Sequence, residues 1–81
     1  MRIRHWRASV YARQHMLQKH NVEWHEVQEA VASAPELRRG PDRRGERRYY
    51  VEGRSVAGRP LTVIFRIEGD TARVITAYEE D

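Results

Sequence analysis

The sequence predicts a small α+β domain, a short strand and two helices followed by a three-stranded antiparallel meander, and three observations carry that prediction. Apolar residues recur at helical spacing up to Pro35, the pattern turns to period-two alternation after Gly45, and the strand-like runs are joined by connections of only a few residues. At 81 residues the chain has room for one domain, residues 1–81, and buries only about 60–65% of its unfolded surface. A partner or a second copy, as in a homodimer, would add to that burial.

Met1 to Trp6 alternates polar with apolar residues and reads as a short strand, 1–6. Val10, Leu17 and their neighbours suggest a helix over 8–20, with Ser9 available as a cap and Asn21 suited to a left-handed stop. Trp24, Val27, Ala30 and Val31 form one apolar stripe of a second helix, 23–33, which must end before Pro35. An arginine-rich loop spans 38–46. The sheet occupies 47–78, with strands at Arg47–Arg54, Leu61–Ile67 and Ala72–Tyr78. Alternation sets Leu61, Val63, Phe65 and Ile67 against the core, and leaves Tyr50, Arg54 and Arg66 on an uncovered face. Trp6 and Trp24 read as core anchors.

Charge is segregated along the chain. Met1 to His20 holds five Lys or Arg and no acid, whereas Asn21 to Glu36 holds four acids and no Lys or Arg. Between Arg38 and Arg54 lie seven arginines against Asp42, Glu46 and Glu52. Arginine forms bidentate contacts to phosphate, and Tyr49 and Tyr50 offer rings for base stacking, so this segment suits RNA. A charged edge strand that resists aggregation is the alternative reading of the same residues. The acidic second helix argues against a helix-turn-helix meeting DNA phosphates.

Other chemistries find little support. There are no cysteines, which excludes disulfides, thiol nucleophiles and Cys-ligated metals. His15, His20 and His25 recur at intervals of five, which does not align them on one helix face, so neither a metal nor another cofactor is expected. A glycine-rich phosphate loop is absent. No apolar run reaches the roughly 18 residues of a membrane span, and Met1 to Arg7 lacks a signal-peptide core, so a cytoplasmic protein without membrane contact is expected. RNA cleavage without a metal needs proton carriers and cations about the phosphate. His20, closing the first helix beside Lys19 where a helix C-terminus favours positive charge, together with Glu46, Tyr50 and the arginines, supplies those types.

Three stretches carry a resemblance: Lys19-His20-Asn21-Val22 before an acidic helix, Glu46-Arg47-Arg48-Tyr49-Tyr50 leading to Gly53-Arg54-Ser55, and the closing Val74-Ile75-Thr76-Ala77. With them the chain, from about Arg4 to Ala77, resembles the BrnT-type toxins of the RelE/ParE-like superfamily. The resemblance implies a RelE-like fold and a bacterial toxin, neutralised by a cognate antitoxin, that cuts RNA, ribosome-bound mRNA included, without a metal. Carried over by position, it implies catalytic roles for His20, Glu46, Arg54 and Tyr50, and phosphate contacts from Lys19, Arg47, Arg48 and Arg66. Relatives commonly continue into an arginine-rich tail, whereas this chain runs into Tyr78-Glu-Glu-Asp81. A non-catalytic nucleic-acid-binding or protein-interaction module of the same fold is therefore the alternative.

Overall fold

The computed structural model describes residues 3–80. In chain order the elements are β1 (His5–Arg7), α1 (Val10–His20), α2 (Trp24–Ser33), β2 (Arg38–Arg39), β3 (Tyr49–Arg54), β4 (Pro60–Glu68) and β5 (Thr71–Glu79). The α+β class and the order of strand, two helices and antiparallel meander agree with the sequence. The sheet is wider than the meander, with five strands in the order β1-β5-β4-β3-β2. β1 joins parallel to β5, pairing His5–Arg7 with Thr71–Arg73, and the expected strand positions Met1 and Arg2 lie outside the described residues. Arg38 and Arg39, expected in a loop, pair antiparallel with Tyr50 and Tyr49. A strand of two arginines has no alternation to announce it.

Each helix is closed by local chemistry. Ser9 Oγ accepts the Ala12 N–H at 3.0 Å to open α1. Asn21, at φ 54°, ends it, with Asn21 N–H bonding Leu17 O and Val22 N–H bonding Met16 O. At the start of α2 the Glu26 carboxylate accepts the Glu23 N–H at 3.1 Å. α2 crosses β3 and β4, and α1 runs along β5. Met16, Val27, Ala30, Val51, Leu61 and Phe65 are among the buried side chains between the layers. Trp6 meets Phe65 edge-on at 4.7 Å, and Trp24 packs against the same core beneath the Arg13 guanidinium.

Arg59 ties these elements together. Its Nη1 donates to Asn21 O at 2.9 Å and to both Glu26 oxygens at 2.9 and 2.8 Å, while Nε donates to Glu79 Oε1 at 2.8 Å. One guanidinium thus joins the α1–α2 turn, α2, the β3–β4 turn and the end of β5. Glu79 of the acidic C-terminal stretch is one of the partners in this clamp. The hydrogen bond from Glu23 N–H, and after it the Arg59 guanidinium, hold the Glu26 carboxyl below its usual range against the opposing effect of burial. The folded pKa being the lower one, the stabilisation is present above the unfolded carboxylate value of about 4.3 and is lost as pH falls through the folded value. Arg59→Ala is expected to cost about 3 kcal/mol at neutral pH, because it leaves Glu26 largely buried without its cation. Urea titrations from pH 7 down to pH 3 check this, the gap between variant and wild type narrowing at the acid end.

Candidate nucleic-acid interface

The helices cover one face of the sheet and leave the other open. Val51, Leu61, Val63 and Phe65 point into the core, and Tyr49 stacks on Phe65 with centroids 6.0 Å apart. Tyr50, Glu52, Ile64, Arg66 and Tyr78 take the opposite side, following the pleat. Over this side folds the segment from Gly40 to Arg48, tied back by Gly40 N–H to Arg48 O at 2.9 Å. At its tip Arg43 and Glu46 exchange both backbone hydrogen bonds around Arg44 and Gly45, whose φ values are 53° and 77°. Two successive positive φ values make the tight turn of a hairpin, which glycine accepts freely and arginine only under strain. The turn carries Arg43 and Arg44 out at its tip.

Glu46 is clasped between two cations, Arg48 Nη2 at 3.2 Å from Oε1 and Arg66 Nη1 at 3.2 Å from Oε2. Among the described residues Arg48 Nε, Arg66 Nε and Thr76 Oγ1 are sheltered polar atoms with no hydrogen-bond partner, although Glu68 Oε2 stands 3.4 Å from Arg66 Nε. Two concavities meet at Arg43 and Arg48. One, about 560 Å³, lies beneath the segment against Tyr50, Ile64 and Thr62, and its far end is acidic with Glu52, Glu79 and Glu80. There Glu80 accepts a hydrogen bond from Thr62, and hydrogen bonding with Glu80 holds the Glu52 carboxyl above its usual range and Glu80 below it. The other, about 430 Å³, runs between the α1 side chains Tyr11, His15 and His20 and the arginines Arg43, Arg44 and Arg48, with Ile75 and Thr76 on the β5 side. An anion is favoured at the arginine end and repelled at the carboxylate end.

Comparison with known proteins places the chain in a family. A model of the family described as the ribonuclease toxin, BrnT, of type II toxin–antitoxin systems matches residues 11–80. The chain belongs to the BrnT family. Among solved structures, the 1.1 Å crystal structure of the Brucella abortus ribonuclease toxin, BrnT, superposes with a TM-score of 0.67 over 100% of this chain and 97% of that one. At 20% identity the likeness is one of fold. No curated protein matches the sequence.

In this BrnT-family chain the residues singled out from sequence fall into separate places. Glu46, Arg48 and Arg66 come together, with Tyr50 in the cavity beside Arg48. His20 lines the neighbouring groove, its ring 6.0 Å from Tyr78. Lys19 and Arg47 are exposed and line neither concavity. Arg54 stands at the opposite end of the open face: it pairs with Pro60, six residues along β4 from Arg66, a separation of about 20 Å. Its guanidinium donates to Gly58 O at 3.1 Å.

Sequence reasoning passed over His15, Arg43, Arg44 and Thr76 as particular site residues. Gly45 marks the turn that brings Arg43 and Arg44 forward, but nothing local shows that its hairpin folds toward α1. Among the described residues no group of three or more His, Cys, Asp or Glu could hold a metal ion. Nor is any described helix long and apolar enough to cross a membrane.

Proposed function

We propose that this chain is the toxin of a toxin–antitoxin pair and cleaves RNA without a metal, in the groove between α1 and the Arg43–Arg48 hairpin. The observation that carries this reading is the convergence of His20 with Arg43, Arg44 and Arg48 on one groove bordering the open sheet face. Arginine forks supply donors for the phosphate oxygens and stabilise charge that grows during in-line displacement. Arg48 contributes a guanidinium whose Nε has no hydrogen-bond partner among the described residues.

The remaining candidates take graded roles. His20 carries a proton in the reaction, as imidazole does near neutral pH. Both Glu46 oxygens are engaged by Arg48 and Arg66, so Glu46 orients those cations. Tyr50 offers its ring to a base next to the bound phosphate. Arg66, ion-paired with Glu46 and Glu68, contacts phosphate beside the groove, and Lys19, Arg47 and Arg54 lie along the flanks and contact RNA away from the reacting bond. The cognate antitoxin would neutralise the protein in the cytoplasm.

The test is incubation of the purified protein with end-labelled RNA in EDTA at low salt, beside a His20→Ala, Arg48→Ala double variant. Cutting by the wild type alone is the expected result. Salt-sensitive binding with no cutting would overturn the ribonuclease reading and leave a nucleic-acid-binding protein of this fold. The absence of any RNA affinity would point to a protein-interaction module.

A further inference from the structure

We propose that His15 and His20 act together as the base and the acid of RNA cleavage, His15 taking the proton from the 2′-hydroxyl and His20 giving one to the departing 5′-oxygen. The inference rests on the ribonuclease reading and adds to it a residue pair that helical spacing alone keeps apart. Their rings face each other edge to face with centroids 6.0 Å apart, and both line the groove that Arg43, Arg44 and Arg48 complete. A phosphodiester held by these arginines would therefore share its groove with both imidazoles.

Elimination supports the pair. Among the described residues no carboxylate lines this groove. Tyrosine and arginine keep their protons at neutral pH, so the two imidazoles are the lining side chains suited to accept one. Glu46, the nearby carboxylate of the hairpin, spends its oxygens on Arg48 and Arg66.

The division of labour follows from position. His20 is in the last turn of α1, beside the carbonyls of the helix C-terminus, and its ring is tilted against that of Tyr78 on β5 with centroids 6.0 Å apart. His15 lies one turn further in, stacked on Tyr11 at 6.2 Å. The charged groups facing the pair across the groove are Arg43, Arg44 and Arg48.

In the step itself the 2′-oxygen attacks phosphorus as His15 removes its proton. The bond from phosphorus to the 5′-oxygen breaks as His20 protonates that oxygen. The products are a 2′,3′-cyclic phosphate and a 5′-hydroxyl end, with His15 protonated and His20 neutral, and proton exchange with water resets the pair.

The experiment compares His15→Ala and His20→Ala on two substrates: an RNA oligonucleotide containing the mapped cleavage site, and the same oligonucleotide with a bridging 5′-phosphorothiolate there. A thiolate leaves without a proton. Each variant is expected to lose about 100-fold or more on ordinary RNA. On the phosphorothiolate His20→Ala recovers most of its loss and His15→Ala recovers none, a contrast that a merely structural role for either ring would not produce.

His15→Ala cutting ordinary RNA at the wild-type rate, or both variants recovering alike, overturns the pair while leaving the ribonuclease reading intact. A wild type that cuts neither substrate overturns both. Circular dichroism of each variant confirms that it is folded, and His15→Gln, which keeps a polar side chain of similar length, is expected to be as inactive as His15→Ala.

Discussion

Gly53→Ala is expected to remove more than half of the protein's folding stability. Gly53 lies on β3 where the C-terminal turn of α2 rests against the strand, and a methyl group there would meet Ala30 O at 1.9 Å and Ala30 C at 2.7 Å. Both obstacles are backbone, so no side chain can swing aside. The helix must lift from the sheet. Doing so breaks the contact that fixes its end, where Ser33 Oγ accepts the Arg54 N–H at 2.7 Å and lies 3.1 Å from Arg54 O.

Overpacking of this kind costs about 3 kcal/mol or more. A domain this small commonly has only about 5 kcal/mol in total. A fall of roughly 12 °C or more in Tm follows from the usual enthalpy of so short a chain. Thermal unfolding followed by circular dichroism measures it, with Gly40→Ala as control, since a methyl there makes only an ordinary 3.5 Å contact with the Tyr50 ring. A Gly53→Ala protein melting with the wild type would show that α2 does not sit this close to β3.

Arg48→Ala carries the largest expected effect on activity. Arg48 lines both concavities and holds one oxygen of Glu46, so its loss removes a donor from the phosphate and loosens the carboxylate that steadies Arg66. Cleavage is expected to fall about 100- to 1,000-fold, the scale seen when one preorganised donor to a developing oxyanion is deleted. The slope of log affinity against log salt should shrink by about one. Arg48→Lys keeps the charge without the planar fork and should restore binding better than turnover.

Arg54→Ala should do far less, because Arg54 lies among Gly58 O and the carboxylate end of the open face. Equal losses from the two substitutions would move the site away from the hairpin.

The contrast between these two arginines shows what the sequence could and could not reveal. Period-two alternation put Tyr50, Arg54 and Arg66 on one face, and they share it. Alternation carries no information on distance along a strand's face, however, and β4 is long enough to hold Arg54 and Arg66 at opposite ends. Capping was equally legible at Ser9 and Asn21, where one residue's chemistry decides the local backbone.

The groove was not legible, because it depends on where a short hairpin folds. Arg44-Gly45 signals a turn without signalling its direction, and β2, two arginines long, anchors that hairpin to β3 by pairing Arg38 with Tyr50 and Arg39 with Tyr49. His15 was set aside on helical spacing, which places side chains around an axis but ignores how far a ring at a helix end can lean. Arg59 was passed over for a related reason. Its partners, Asn21, Glu26 and Glu79, lie 38, 33 and 20 residues away from it in the chain.

RNA is expected to bind in the groove between α1 and the arginine hairpin. Titration of the ¹⁵N-labelled protein with a short 2′-O-methyl RNA, which cannot undergo attack by a 2′-hydroxyl, tests it most directly. Amide and side-chain shifts are expected to centre on His15, His20, Arg43, Arg48 and Thr76, with the acidic face of α2 unmoved. Shifts confined to the Arg54 end of the sheet, or none at salt low enough for phosphate contacts to form, would contradict it.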